Sequence, residues 1–155
     1  MGKKKFEGGV MGMAEEKKTR TLEQIQDEIR SYLGEIEYLR SQVGVIDATI
    51  TDLRTVDATL AYLKEKGKGK EIYIPLGSGV AIRGKIENPD DVIMDVGGAG
   101  ILVGATVDEA RENIEKRIKA LMDLRLALLR KIEEDTRKVN ELLKELQEMQ
   151  PEKKE

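Results

Sequence analysis

Apolar residues recur along two stretches of the chain in alternating steps of three and four. The first stretch runs Leu22, Ile25, Ile29, Tyr32, Ile36, Leu39, Val43, Ile46, Ile50 and Leu53, the heptad seam of a helix that packs against a second helix. The next slot is Asp57, after which Leu60 and Leu63 resume the apolar face. Thr21 with Gln24 forms a capping box at the start, and the glycines at 67 and 69 stop the helix. The second stretch runs Ile114, Ile118, Leu121, Leu128, Ile132, Val139, Leu142, Leu146 and Met149, with charged residues at the slots of Arg125 and Asp135. Thr106 with Glu109 opens it as a capping box, and Pro151 closes it.

The spacing predicts coiled-coil helices over residues 19–66 and 106–150, about 70 and about 65 Å long at 1.5 Å per residue. Helices with so narrow a stripe are poorly stable alone, so their matched lengths imply an antiparallel pair. Setting Asp57 beside Ile114 brings Leu22 beside Met149 and Ile46 beside Arg125, with both termini at one tip. In that register Arg125 lies near Asp47, but the expectation is that it snorkels to water.

Between the helices the period changes from about 3.6 to two. Residues 70–104 read as four short strands, Glu71 to Leu76, Val80 to Glu87, Asp91 to Val96 and Ile101 to Gly104. Gly77-Ser78-Gly79, Asn88-Pro89-Asp90 and Gly97-Gly98-Ala99-Gly100 supply the turns. The alternation makes two β-hairpins with one apolar face, carried by Ile72, Ile74, Leu76, Val80, Ile82, Ile86, Val92, Met94, Val96, Ile101 and Val103. Two hairpins cannot bury that face against themselves. The economical solution is closure with strands of other subunits into a β-barrel, which also removes the strand edges. Gly84 thins its strand and leaves room for another backbone. The fold class is therefore α+β: a long antiparallel helical hairpin with two oligomerising β-hairpins inserted.

Composition supports an elongated stripe over a deep core. Of 155 residues, 39% are hydrophobic and 37% charged, but only 3% are aromatic, so bulky core-filling side chains are scarce. The net charge of -3 comes from interleaved acids and bases, which leaves no basic track for a phosphate backbone and argues against nucleic acid. With no histidine and no cysteine, imidazole bases, thiolate nucleophiles and the usual zinc ligands are all missing. Neither catalysis, metal nor cofactor is expected. No apolar run reaches the roughly 20 residues a membrane span needs, so the protein is expected to be soluble and cytoplasmic.

The Gly-rich, aperiodic residues 1–18 read as a disordered extension, and residues 151–155 as a charged tail. Glu7-Gly8-Gly9-Val10 is what a purine-rich ribosome-binding sequence spells when translated, just ahead of Met11 and Met13. Translation is therefore expected to start at Met13.

Two motifs invite chemistry. Gly79, Gly84 and Lys85 match a phosphate-binding loop, but Ile86 replaces its hydroxyl residue and a strand end follows where a helix should open. The acid pairs Asp90-Asp91 and Glu133-Glu134 fall at a turn and on a helix exterior, where solvated charge is the ordinary explanation. Near the paired termini, by contrast, Leu22, Ile25, Ile29, Leu142, Leu143, Leu146 and Met149 have little beyond them to cover their apolar edges, which suits promiscuous hydrophobic contact.

Long helix, two β-hairpins, long helix resembles the alpha-type subunit of archaeal prefoldin. The segments "IPLGSGVAIRGKI", "VIMDVGGAGILV" and "TVDEARENIEKRI" are similar to the hairpin region and second-helix start of that family. The resemblance implies a hetero-hexamer of two alpha and four beta-type subunits, with hairpins joined in a double barrel. It implies that the helix tips hold unfolded polypeptide without ATP and deliver it to a group II chaperonin. On this chain Ile72, Ile74, Val80, Ile82, Ile86, Val92, Met94, Val96, Ile101 and Val103 would build the barrel, and the seven tip residues would touch the client. The alternative is a structural coiled-coil assembly or filament protein that oligomerises through the same hairpins. A coiled-coil finger of the transcript-cleavage type would instead carry an acidic loop where this chain carries strands.

Overall fold

The structure, a computed structural model, describes residues 21–149. The extension, the start at Met13 and the charged tail lie outside the described residues. The element order is α1 (Leu22–Lys66), β1 (Glu71–Gly77), β2 (Val80–Lys85), β3 (Val92–Asp95), β4 (Leu102–Ala105) and α2 (Val107–Glu148). The described chain divides into two compact units, residues 21–43 with 127–149 and residues 44–126.

In the first unit the capping box at Thr21 forms in full: the Gln24 N–H donates to Thr21 Oγ1 at 3.2 Å and the Thr21 N–H donates to Gln24 Oε1 at 3.1 Å. Two of the orphan donors of the first turn are thereby satisfied. The seam residues Ile25, Ile36, Leu39 and Val43 of α1 are buried, as are Val139 and Leu142 of α2. Asp135 is buried among them with no exposed surface.

In the second unit Ile46, Ile50 and Leu53 continue the buried face of α1, and Val107, Ala110 and Ile114 bury the first turns of α2. α1 ends at Gly67, whose N–H donates to the Leu63 carbonyl at 2.8 Å. A Cβ on Gly67 would lie 2.5 Å from that same oxygen, so the position admits no side chain without moving backbone. Gly69, at φ +78°, then turns the chain into β1.

The strands form two separate two-stranded antiparallel sheets, β1 with β2 and β3 with β4. In the first, Ile74 faces Ile82, Ile72 faces Gly84, and a bulge lies between Pro75 and Gly77. Its loop is Ser78-Gly79, both at positive φ (51° and 79°), as the twist-matched two-residue hairpin turn requires. In the second, Met94 faces Val103 and Val92 faces Ala105. Ladder-like bonds extend both hairpins: the Ile86 N–H donates to the Lys70 carbonyl, and the Val96 N–H to the Ile101 carbonyl.

The linker between hairpins anchors α2. The Asp90 N–H donates to Asn88 Oδ1 at 3.0 Å, and Asp90 Oδ1 accepts the Val107 N–H at 2.9 Å. Thr106 Oγ1 accepts the Glu109 N–H and donates to the Glu109 carboxylate, both at 3.2 Å. The Asp90 carboxylate thus takes a helix-start donor that the local capping pair leaves over.

Candidate interaction sites

Ile72, Ile74, Val80, Ile82, Val96, Ile101 and Val103 are exposed, whereas Ile86, Val92 and Met94 are half-buried. They sit on two hairpins, as the alternation requires, but the second hairpin is not apolar on one face alone. Ile93 is 66% exposed and Leu102 67% exposed on the face opposite Met94 and Val103. Period two assigns these residues to a solvent face. Asp95 and Gly104 share that second face, so it carries two large apolar side chains rather than a continuous apolar surface.

Gly84 faces Ile72 across the first hairpin. A Cβ there would stand 3.3 Å from Ile74 Cδ1 and 3.7 Å from Ile72 Cγ1. The space is occupied by side chains of the hairpin's own first strand, so Gly84 lets Ile72 and Ile74 lie flat across β2. The phosphate-loop look-alike is accounted for as well: Gly84 and Lys85 lie within β2, with no helix N-terminus after them. Hairpin two also forms one side of a groove of about 650 Å³, lined by Val56, Leu60, Met94, Asn113, Ile114 and Arg117. No sequence motif pointed to it, because its walls come from three separate elements.

In the first unit the seven tip residues divide by burial. Ile25 and Leu142 are buried, Leu22, Ile29 and Leu146 are half-buried, and Leu143 and Met149 are exposed. The heptad seam is therefore closed over part of the surface expected to meet a client. On the same unit, Lys138 Nζ stacks 5.4 Å from the centre of the Tyr32 ring.

The charged seam positions find specific partners. Arg125 Nε donates to Asp47 Oδ1 at 2.7 Å, so it does not snorkel freely; its register neighbour on α1 supplies the carboxylate. Asp57 receives Arg111 Nε at 2.9 Å and Nη2 at 3.4 Å, and this hydrogen-bonded carboxylate holds the guanidinium above its ordinary range. Lys64 Nζ donates to Asp108 Oδ2 at 2.8 Å. That bond raises the Lys64 ammonium and, from the other side, holds the Asp108 carboxyl below its ordinary value of 3.8. Each pair joins α1 to α2.

Among the described residues no three acidic, histidine or cysteine side chains gather where they could hold a metal ion. Among them no helix is long and apolar enough to cross a membrane. Asp90 is engaged in capping α2, which accounts for one member of the Asp90-Asp91 pair.

Comparison with known proteins places this architecture. The family described as "Prefoldin subunit" matches residues 32–152. The chain is 99% identical over 143 residues to "Prefoldin subunit alpha 2" of Thermococcus kodakarensis, covering 92% of this chain and 100% of that protein. It is 38% identical over 124 residues to "Prefoldin subunit alpha 2" of Methanocaldococcus jannaschii, covering 80% and 84% of the two chains. A cryo-EM structure described as filamentous PFD from Methanocaldococcus jannaschii superposes with a TM-score of 0.68 at 39% identity, over 77% of this chain and 98% of that one.

Proposed function

The chain belongs to the prefoldin subunit family, as an archaeal alpha-type member, and on that premise we propose that it is an ATP-independent molecular chaperone subunit. It holds unfolded polypeptide at the apolar ends of α1 and α2 and delivers it to a group II chaperonin. The observation that carries this reading is the pair of exposed apolar hairpins, the second of which also exposes Ile93 and Leu102, beside Asp95, on its other face. A chain with such surfaces functions as part of an assembly.

In this reading the hairpin residues close a β-barrel with beta-type subunits, two alpha to four beta, in the cytoplasm. Closure satisfies the edges of both sheets and covers Ile72, Ile74, Val80, Ile82, Ile86, Val92, Met94, Val96, Ile101 and Val103 together with Ile93 and Leu102. The tip residues Leu22, Ile25, Ile29, Leu142, Leu143, Leu146 and Met149 provide adaptable contact to clients of varied sequence. Holding requires no catalysis and no cofactor, and the residue inventory suits that: the polar groups clustered at the helix base are spent on pairing α1 with α2.

Aggregation of a diluted, denatured protein tests the reading. The complex assembled with a beta-type subunit suppresses light scattering without ATP, and truncation after Val139 abolishes suppression while leaving assembly intact. Equal suppression by the truncated complex would remove the tip from the mechanism.

One observation favours a second reading, in which the chain polymerises with itself. The similar structure at 39% identity is described as filamentous. Particle mass of the purified chain, alone and mixed with a beta-type subunit, separates the two. Open-ended growth alone supports the filament, and a discrete hexamer only on mixing supports the chaperone complex.

A further inference from the structure

Asp135 has no exposed surface, yet among the described residues neither carboxylate oxygen accepts a well-formed hydrogen bond. Its nearest cation is Lys131 Nζ, 3.4 Å from Oδ1, one turn back on the same helix. That distance makes an ion pair but a poor hydrogen bond. The Lys131 ammonium is raised by Asp135 first, and then by Glu134 and by Glu35 of the facing helix. With 41% of its side chain exposed, it is shared among three carboxylates and screened by water, so its compensation of Asp135 is weak.

The register of the first unit is fixed by Tyr32 under Lys138. One turn along, in antiparallel sense, α1 presents Glu35 and buried Ile36 at the level of Asp135. Among the described residues no facing side chain donates a hydrogen bond to it: Ile36 is apolar and Glu35 is acidic. Elsewhere on α2 the charged seam residue Arg125 is bonded across to α1. Asp135 is thus a buried charge in the seam without a cross-helix partner, a placement that costs the paired state more than the parted one.

We infer that Asp135 is a built-in opening point: the segments 22–36 of α1 and 135–149 of α2 part as a unit while the seam on the far side of Asp135 stays closed. Parting hydrates the carboxylate and uncovers Ile25 and Leu142, which the closed seam hides. Each parted segment is about four turns long and remains continuous with a longer helix, so the backbone need not melt. A polar residue at a single seam position weakens a coiled coil locally and leaves the rest of its pairing in place. The consequence for clients rests on the chaperone reading above, whereas the opening itself does not.

Amide hydrogen exchange on the full-length protein in its native assembly tests the inference, with Asp135→Leu and Asp135→Asn compared with wild type. Leu completes the seam and is expected to raise protection of residues 22–36 and 136–149 by about tenfold or more, leaving residues 44–126 unchanged. Asn removes the charge but keeps the unmet polarity, and is expected to fall between the two. Ordinary end fraying would give equal protection in all three proteins, and that result overturns the inference. If Leu closes the tip and client holding falls with it, both the opening and its use stand. If Leu closes the tip and holding is unchanged, the opening stands and the role of Ile25 and Leu142 as client contacts fails.

Discussion

Arg125 and Asp47, 78 residues apart in sequence, share a 2.7 Å hydrogen bond between α2 and α1. Their side chains remain 40% and 50% exposed, so the bond sets register more than it stabilises: exposed pairs of this kind contribute up to about 1 kcal/mol. Arg125→Ala is expected to lower unfolding stability by no more than that. Arg125→Leu restores an apolar seam slot and is expected to match or exceed wild type. Chemical denaturation with an unchanged m-value checks both, and a loss well beyond about 1 kcal/mol in the Ala variant would mean the pair does more than align the helices.

Asp90 joins the hairpin linker to the start of α2 through the Val107 N–H. Asp90→Ala removes this capping acceptor and is expected to cost about 1 kcal/mol, the usual worth of an N-terminal cap. Asp91→Ala, one residue on, is expected to be neutral. Thermal unfolding of the two variants side by side distinguishes a capping role from a general effect of negative charge.

The Lys64–Asp108 pair gives stability a pH signature. The Asp108 carboxyl is held below 3.8 in the folded chain, so the unfolded state binds protons first on acidification. Its contribution is present above the unfolded value and is lost as pH falls through the lowered folded one. Lys64 is shifted upward from 10.5, so its contribution is present below that value and fades as pH rises through the raised one. Asp108→Asn is expected to flatten the acid limb of the stability profile below the ordinary carboxylate value of 3.8. A profile parallel to wild type throughout would show that the pair is screened to nothing.

Leu102 is the most exposed apolar residue of β4, on the hairpin face opposite Val103. Leu102→Lys is expected to reduce assembly mass sharply while far-ultraviolet dichroism, dominated by α1 and α2, is unchanged. The same substitution at Tyr73, which faces Arg83 across the first hairpin, is expected to have the smaller effect. Sedimentation analysis ranks the two, and an unchanged mass for the Leu102 variant would leave the second face of this hairpin outside the interface.

Gly67 offers a backbone test. A Cβ would meet the Leu63 carbonyl oxygen at 2.5 Å, so Gly67→Ala is expected to destabilise by about 1–3 kcal/mol. Gly34→Ala, in open space on α1, is expected to stabilise by up to about 1 kcal/mol through helix propensity. The opposite signs are measured by urea midpoints.

The helices and hairpins were legible in the sequence because burial repeats: Ile36, Leu39, Val43, Ile46, Ile50 and Leu53 each return to one face, and period two marks the strands. What escaped reading were singular events. The burial of Asp135 could not be seen, since a charge in a seam slot ordinarily turns to water. Nor could the partner of Arg125, because a shift of one turn in register would have set it beside Val43 in place of Asp47, and register is a property of both helices together. Ile93 and Leu102 were hidden by the strength of the alternation, which assigns every second residue to solvent whatever its chemistry. The linkage of Asp90 to Val107 spans a whole hairpin and leaves no local signature.

Among the described residues the two hairpins share no ladder with one another, so in the assembly proposed above they would act as two separate joints. A joint that used one continuous sheet would bind its neighbours as a single event, all or nothing. Two separate joints would let one neighbour leave while the other stays. Whether such an object closes on itself or grows would then depend on the angle between its joints, which the short Asn88-Pro89-Asp90 linker spans.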